Sequence, residues 1–309
     1  MRIVVALGGN ALAKRGQPMT AEMLRYNIRS SVVALGDLAR DNEVVITHGN
    51  GPQVGLLALQ GLAYNVVPPY PLDILVAQSQ GMIGYPLQQE LSNELGDDRE
   101  VVTILTTTQV YANDPDFADP TKAVGPLYTE SEAHSVEQLY GWQTKPDGSG
   151  FRRVVPSPKP VRILESSAIA ALLDSGRVVI CVGGGGVPVT IEGGISTGVE
   201  AVVDKDLASA ELAVELGADT LLILTDGDYV IENWGEPTAR AIAQVSPEIL
   251  EKMSFSAGTM APKVAAAIMV ANAGGRAFIG PLDRVPEMLA GTIGTQVRQG
   301  ILGGIVYAV

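Results

Sequence analysis

The chain has 309 residues, of which 46 % are hydrophobic but only 5 % aromatic, and its formal net charge is −13 at pH 7. A negative charge of this size argues against nucleic acid and against an anionic membrane surface as partners. A core built mostly from aliphatic side chains suits a parallel sheet covered by helices. No secretory leader precedes the first predicted strand, and no apolar run is long enough to span a membrane, so we expect a cytoplasmic protein.

The first hundred residues alternate predicted strands and helices. Strands are predicted at residues 2–7, 43–47 and 101–105. Helices are predicted at residues 20–40, 52–64 and 72–95. Thr20 is the expected cap of the first helix, and Pro52 the first residue of the second. This alternation is typical of parallel strands joined by right-handed crossovers.

Residues 111–160 interrupt the alternation with Pro, Asp, Gly and Lys in no clear period. A structureless stretch of this length is unusual in a compact domain. We therefore predict a small inserted subdomain or lid, with residues 131–140 helical. The alternative, a disordered linker, is disfavoured by the aromatic residues Phe117, Tyr128, Tyr140, Trp142 and Phe151.

The alternation returns after residue 160. Helices are predicted at residues 165–175, 206–216, 246–253 and 259–273. Strands are predicted at residues 177–182, 219–224, 276–280 and 304–308. The single cysteine, Cys181, lies in one of these strands, and we expect it to be a small buried core residue. A lone cysteine excludes an internal disulfide and suits a reducing compartment.

Glycine-rich or polar turns follow several predicted strands. They lie at residues 7–12, 47–55, 182–189 and 224–230. Ligands of open α/β sheets bind beyond the carboxyl ends of the strands, and glycine lets backbone N–H groups converge on an anion. Four such turns together predict an anionic or phosphorylated ligand. The run Gly183–Gly186 either lets the backbone approach that site closely or only forms a tight turn.

The common nucleotide and hydrolase motifs are not found. There is no GxxxxGK[ST] and no G-x-S-x-G, and "GNGPQVG" has one residue too many for GxGxxG. The two histidines are His48 and His134, and a zinc site built on them would need neighbouring acids or Cys at recognisable spacing, so no metal cluster is predicted. We interpret His48 as a loop or turn residue rather than a base.

Lysines are the stronger chemical signal. Lys205 and Lys263 are placed at helix starts, where the helix dipole disfavours a cation. Each alone could be a solvated surface residue. Asp204 and Asp206 flank Lys205 and form either a surface ion pair or one that aims the ammonium. Lys122, in the insertion, is a third candidate. Phosphoryl transfer needs positioning, Mg²⁺ and positive charge, which glycine turns and a few lysines can supply.

Eight blocks of sequence carry a resemblance to a known family. They are "ALGGNAL" (6–12), "THGNGPQVG" (47–55), "DPTKAVGPLY" (119–128), "FRRVVPSPKP" (151–160), "GGGGVPV" (183–189), "DKDLASA" (204–210), "LLILTD" (221–226) and "MAPKV" (260–264). On these blocks, in this order, the chain resembles the carbamate kinases of the amino acid kinase superfamily over essentially its whole length.

The resemblance implies an α/β fold, a three-layer sandwich around a mostly parallel sheet in a single domain over residues 1–309. A small protruding subdomain is expected at residues 111–160, the acceptor side on about residues 1–200 and the nucleotide side on about residues 201–309. Superfamily relatives such as acetylglutamate kinases and aspartokinases carry a lysine on the first strand, where this chain has Ala6. Carbamate kinases instead bring a lysine from the protruding subdomain, and Lys122 matches it.

The implied reaction is reversible phosphoryl transfer between ATP and carbamate, giving ADP and carbamoyl phosphate, with ATP synthesis in arginine catabolism as the expected direction. Mg²⁺ is expected through the nucleotide phosphates, with no protein metal site, and the family is expected to form a homodimer. The alternatives are carbamoyl phosphate synthesis as the physiological direction, a kinase of another small carboxylate, and a non-catalytic nucleotide sensor.

The resemblance also implies roles for individual residues. Lys122, Lys205 and Lys263 would stabilise charge on the transferred group, and Asp206 would orient the lysines. The carbamate end would be bound by Gly8, Gly9, Asn10, Gly49, Asn50 and Gly51. The nucleotide would be bordered by Gly184, Gly185, Lys205, Asp226, Tyr229, Met260 and Lys263. The chain departs from the family pattern at Ala123, Gly227 and Ala261, where proline, valine and glycine are usual.

Overall fold

The computed structural model describes residues 1–9, 12, 17–64, 66–255 and 260–308. The strands in these ranges are β1 (Arg2–Leu7), β2 (Glu43–His48), β3 (Val101–Thr103), β4 (Thr107–Gln109), β5 (Lys122–Tyr128), β6 (Gln143–Asp147), β7 (Gly150–Val155), β8 (Arg162–Ile163), β9 (Val178–Ile180), β10 (Val187–Glu192), β11 (Ile195–Gly198), β12 (Thr220–Thr225), β13 (Val230–Glu232), β14 (Arg240–Val245), β15 (Arg276–Pro281), β16 (Thr295–Val297) and β17 (Ile305–Tyr307). The helices are α1 (Ala21–Asp41), α2 (Gly51–Ala63), α3 (Leu72–Leu95), α4 (Glu130–Tyr140), α5 (Ser166–Asp174), α6 (Lys205–Glu215), α7 (Pro247–Leu250), α8 (Met260–Asn272) and α9 (Val285–Leu289).

Among the described residues, the main sheet has ten strands and a parallel centre. Its order is β13-β14-β16-β15-β12-β1-β2-β9-β3, with β17 beside β14. All neighbours from β15 to β3 run parallel. Two shorter sheets accompany it, β11-β10-β4-β8 and β5-β7-β6. The mostly parallel α/β sheet expected from the sequence is thereby confirmed.

Helices cover both faces of the main sheet. On β1, Ile3, Val5 and Leu7 belong to one core cluster and Val4 and Ala6 to another, and all five are fully buried. Successive strand residues point to opposite faces, so the two clusters are the two sides of the sheet. One side is filled from α1 and α3, and the other from α5, α6 and α8. This arrangement is the expected three-layer sandwich.

Local signals place several elements where the sequence predicts them. The Thr20 hydroxyl accepts a hydrogen bond from the Met23 amide at 3.2 Å and so caps α1. The helix predicted at residues 131–140 is α4, which Thr129 and Glu132 close with a reciprocal capping box. Cys181 is buried as expected, and burial raises the pKa of its thiol. Within the described residues, no helix is long and apolar enough to cross a bilayer.

The stretch that interrupts the alternation is ordered rather than a disordered linker. Strands β5, β7 and β6 form an antiparallel sheet, and α4 packs against it. This small sheet sits on α2 at Gly55 and Gly125. A Cβ atom on Gly55 would lie 2.5 Å from the Gly125 Cα, so only glycine allows the two backbones to approach this closely.

Candidate active site at the carboxyl edge of the sheet

The central parallel strands end at the same edge of the sheet. Leu7 pairs with Leu224 on one side and with His48 on the other, and Ile46 pairs with Ile180. The turns after β12, β1, β2 and β9 are therefore neighbours, in that order. This edge is where open α/β sheets bind their ligands.

The turns after β1 and β2 contact each other. A Cβ atom on Gly49 would lie 3.7 Å from the Gly9 nitrogen and 3.4 Å from the Lys205 Cδ. On Gly8 it would lie 2.7 Å from the Leu224 carbonyl oxygen, which ties this turn to β12 as well. Asn10, predicted to share this turn, lies outside the described residues.

Asn50 is a fixed side chain of this edge. It is buried, and its Nδ2 donates to the Ser79 Oγ on α3 at 2.8 Å. The next residue, Gly51, begins α2, and its surroundings are open. The first N–H groups of α2 therefore face the same edge of the sheet as the glycine turns.

The glycine run after β9 allows a close approach to side chains and backbone of the protein itself. Gly184, Gly185 and Gly186 have φ of +64°, +88° and +83°. A Cβ atom on Gly184 would overlap the Asn50 amide, and one on Gly185 would overlap the Val203 carbonyl. Both the positive φ and the crowding require glycine here. The run forms a tight turn that packs closely on Asn50 and Val203, and its approach to a ligand stays a prediction.

Replacing Gly184 with alanine is expected to destabilise the protein by about 3 kcal/mol, because a strained φ and the overlap with Asn50 add. Gly193→Ala is the matched control. Its φ is +57°, but nothing lies near its Cβ position, so its cost should be about 1 kcal/mol. Denaturant unfolding of both variants checks this. Equal losses would show that the overlap with Asn50 has no energetic consequence.

Three charged side chains meet at the start of α6. The Asp206 carboxylate receives the Lys205 ammonium on Oδ1 and the Lys263 ammonium, from α8, on Oδ2 at 2.8 Å. The two lysine side chains are each 12 % exposed and Asp206 is 5 % exposed. These lysines are therefore not solvated surface residues. We refer to Lys205, Asp206 and Lys263 as the buried trio.

Asp204 joins the insertion to this helix start. Its Oδ1 accepts the Asp206 and Leu207 amides, at 2.9 and 3.4 Å, and so caps α6. Its Oδ2 receives the Lys122 ammonium at 2.7 Å. The sequence left open whether Asp204 and Asp206 form a surface ion pair or orient an ammonium group. Both are buried, which favours the second interpretation. An Asp directly before a helix start is a capping signal that could have identified this residue.

The buried trio carries a net positive charge of one, from two ammonium groups and one carboxylate. Burial alone would raise the pKa of Asp206, but Lys205 and Lys263 outweigh it and lower the pKa to about 2. Burial lowers the pKa of Lys205 in spite of the opposing effect of Asp206. An uncompensated positive charge in a poorly solvated place attracts an anion strongly.

Three of the residues predicted to border a nucleotide lie near the end of β12 and the start of α8, whereas Gly184 and Gly185 follow β9. Asp226 follows β12 and is exposed, and Tyr229 is half-buried with its hydroxyl 3.5 Å from the Thr292 carbonyl oxygen. Met260 begins α8, one turn before Lys263. At Gly227 a Cβ atom would meet only the Tyr229 carbonyl, at 3.8 Å, so crowding does not explain that glycine.

His48 is not the loop or turn residue that the sequence suggested. It is the last residue of β2, and it is buried, with Nδ1 3.1 Å from the Gly49 carbonyl oxygen. A Cβ atom on Gly183 would lie 2.6 Å from its Nε2. Burial, helped by the nearby Lys205 charge, lowers the pKa of His48 to about 4, although the hydrogen bond with Gly49 opposes this.

Acid is therefore expected to weaken the fold through His48. Its pKa is about 4 in the folded chain and near 6.5 in the unfolded one, so the unfolded chain takes up the proton first as pH falls. The contribution of His48 to stability is complete above pH 6.5 and is lost as pH falls towards 4. Between pH 7.5 and pH 5 the loss is about 2 kcal/mol.

Denaturant unfolding at the two pH values measures this loss. His48→Gln should lack it, whereas His134→Gln, at an exposed position of α4, should behave as the unchanged protein does. The same pH dependence in all three proteins would contradict the assignment of a buried neutral imidazole.

Among the described residues, no group of three or more His, Cys, Asp and Glu side chains is arranged to hold a metal ion. Both oxygens of Asp206 are already engaged by lysines.

A cavity of about 680 Å³ opens between the insertion and the main body, lined in part by Tyr70, Trp142, Arg153 and Glu200. Lys122, Lys205 and Lys263 do not line this cavity.

Comparison with known proteins identifies relatives over nearly the whole chain. The model of the amino acid kinase family matches residues 1–280. The carbamate kinase of Rhizobium meliloti (strain 1021) is 53 % identical over 299 residues, covering 96 % of this chain and 92 % of the relative. That of Escherichia coli (strain K12) is 54 % identical over 294 residues, covering 95 % and 98 %. The structure of the Giardia lamblia carbamate kinase bound to AMP-PNP superposes with a TM-score of 0.88 at 37 % identity, covering 96 % and 98 %.

Proposed function

The chain belongs to the amino acid kinase family and within it to the carbamate kinases, and from this premise we propose that it catalyses reversible phosphoryl transfer between ATP and carbamate. The products are ADP and carbamoyl phosphate. The observation that carries the proposal is the buried trio at the glycine-lined edge of the sheet. Lys122 lies close to it, because it pairs with Asp204, the residue directly before Lys205. This arrangement provides positive charge where a phosphoryl group would pass.

The acceptor needs no general base in this reaction. Carbamate is already an anion, so one of its oxygens can attack the γ-phosphorus while the bond to the β–γ bridging oxygen breaks. Lys205 and Lys263 neutralise charge that develops on the transferred group and on ADP, and Lys122 approaches from the insertion. Asp206 holds the first two ammonium groups in place, so little reorganisation is needed at the moment of transfer.

The two substrates are assigned to opposite sides of the trio. The turns at Gly8 and Gly9 and at residues 49–51, with Asn10, bind the carbamate end, on about residues 1–200. Asp226, Tyr229 and Met260 border the nucleotide, on about residues 201–309, while Gly184 and Gly185 lie beside the transferred group. AMP-PNP in the Giardia lamblia relative supports a nucleotide site on this fold.

The first strand favours carbamate over another small carboxylate as acceptor. Ala6 stands where kinases of other carboxylates in the superfamily carry a lysine. Ala6 is fully buried in the central sheet between Thr47 and Ile223, and neither of these strand neighbours supplies a positive charge in place of that lysine. The cation that enters from the insertion at Lys122 takes its place.

Further features of the family complete the proposal. Mg²⁺, held by the nucleotide phosphates, supplies additional positive charge to the transferred group, which suits a site whose Asp206 oxygens are both taken by lysines. The chain acts in the cytoplasm as a homodimer, with the insertion at residues 111–160 as a lid. Its physiological direction is ATP synthesis in arginine catabolism. Light scattering after size exclusion tests the dimer.

The test of function is ATP formation from ADP and carbamoyl phosphate with Mg²⁺, measured beside phosphorylation of acetylglutamate and aspartate. Rapid, Mg²⁺-dependent ATP formation from carbamoyl phosphate alone is expected. Activity only with another acceptor would assign a different carboxylate. If no acceptor reacts while ADP still binds, the protein is a nucleotide sensor and the proposal is wrong.

A further inference from the structure

We infer that Asp204 is a positioning residue for Lys122, and that its carboxylate fixes the insertion to the start of α6. The inference rests on the proposed function, because Lys122 acts in that reaction. It identifies the ammonium that Asp204 orients as that of Lys122 in the insertion.

The carboxylate of Asp204 connects two separate parts of the molecule. One oxygen accepts the Asp206 and Leu207 amides of α6, and the other receives the Lys122 ammonium of β5. The side chain is only 11 % exposed, compared with 36 % for Lys122. The capping hydrogen bonds fix the carboxylate, so the position of the ammonium is set by the helix that also carries Lys205 and Asp206.

Few other polar contacts hold the insertion in place. Among the described residues, two ion pairs join it to the main body, Lys122–Asp204 and Arg153–Glu200. The second is 3.5 Å long, and Glu200 is 56 % exposed, so solvent screens it. The cavity of about 680 Å³ lies between the insertion and the main body around Arg153 and Glu200. The Asp204 contact is thus the shorter and more buried of the two.

The geometry leaves Lys122 available for catalysis. An ammonium has three donors, and Asp204 Oδ2 uses one of them. The remaining donors can bind phosphoryl oxygens without the ammonium leaving the carboxylate. Asp206 holds Lys205 and Lys263 by the same principle. A lysine on a flexible stem that is already oriented loses less entropy when the phosphoryl group binds.

Asp204→Asn tests the inference, because asparagine caps a helix as well as aspartate does but cannot form the ion pair. We expect kcat to fall about tenfold, with the unfolding midpoint close to that of the unchanged protein. Lys122→Ala should lower kcat further. If Asp204 acts through Lys122, the double variant should be no slower than Lys122→Ala. Additive losses would overturn the inference, since a purely structural effect of Asp204 would persist without the lysine.

Hydrogen–deuterium exchange gives a readout that does not depend on activity. In the substrate-free protein, Asp204→Asn should speed exchange of the amides of residues 122–128, and Glu200→Gln, the matched control at the exposed pair, should alter exchange and kcat much less. Unchanged exchange in Asp204→Asn would also overturn the inference. If the unchanged protein makes no ATP from carbamoyl phosphate, the proposed function fails, and the exchange experiment still decides whether Asp204 holds the insertion.

Discussion

Lys205→Ala is expected to lower kcat for ATP formation by about a thousandfold while the protein stays folded. The ammonium of Lys205 is buried against Asp206, so a cation from solvent cannot readily take its place when the side chain is removed. Without it the trio becomes a neutral pair of Asp206 and Lys263, which removes the net positive charge that we propose attracts the phosphoryl group. The same pairing leaves no buried charge uncompensated, which is why the fold should survive.

Steady-state kinetics with ADP and carbamoyl phosphate, together with thermal unfolding, measure this effect. Lys263→Ala should behave alike, because the two lysines share one carboxylate. Lys252→Ala, at an exposed lysine near α7, is the matched control and should retain full activity. Near-normal rates in both trio variants would refute the roles proposed for the lysines.

Much of the fold was predictable because the central elements are specified locally. Aliphatic runs such as residues 2–7 become strands buried on both faces, and Thr20 marks the start of α1. The second sheet was not predictable. Its strand β4 is three residues long and pairs with β10 through Val187 and Thr107, some eighty positions apart in sequence. Such pairing is decided by tertiary neighbours rather than by local pattern.

The candidate site was predictable in its residue types but not in its pairing. Lysines near glycine turns indicated an anion site, yet nothing local shows that Lys263 of α8 would share a carboxylate with Lys205 of α6. His48 was misjudged for the same reason. A polar residue before glycines suggests a turn, and its burial depends on neighbours that are distant in sequence, such as Gly183.

Asp206→Asn is expected to affect both activity and stability, in contrast to the lysine variants. Two ammonium groups would then share a buried place with no carboxylate between them, raising the net charge there from one to two. Breaking a buried charge network in this way costs about 3–5 kcal/mol. Turnover should also fall at least as far as in Lys205→Ala, because neither lysine is held in position.

A charge-balanced double variant separates these two effects. Asp206→Asn with Lys205→Met returns the net charge of the trio to one, so it should recover most of the lost stability but none of the activity. Added phosphate should stabilise Asp206→Asn more than the unchanged protein, because the excess charge binds an anion. Denaturant unfolding with and without phosphate tests both expectations. If the single and double variants unfold alike, the stability lost in Asp206→Asn does not come from repulsion between the two lysines, and this explanation of the role of Asp206 is wrong.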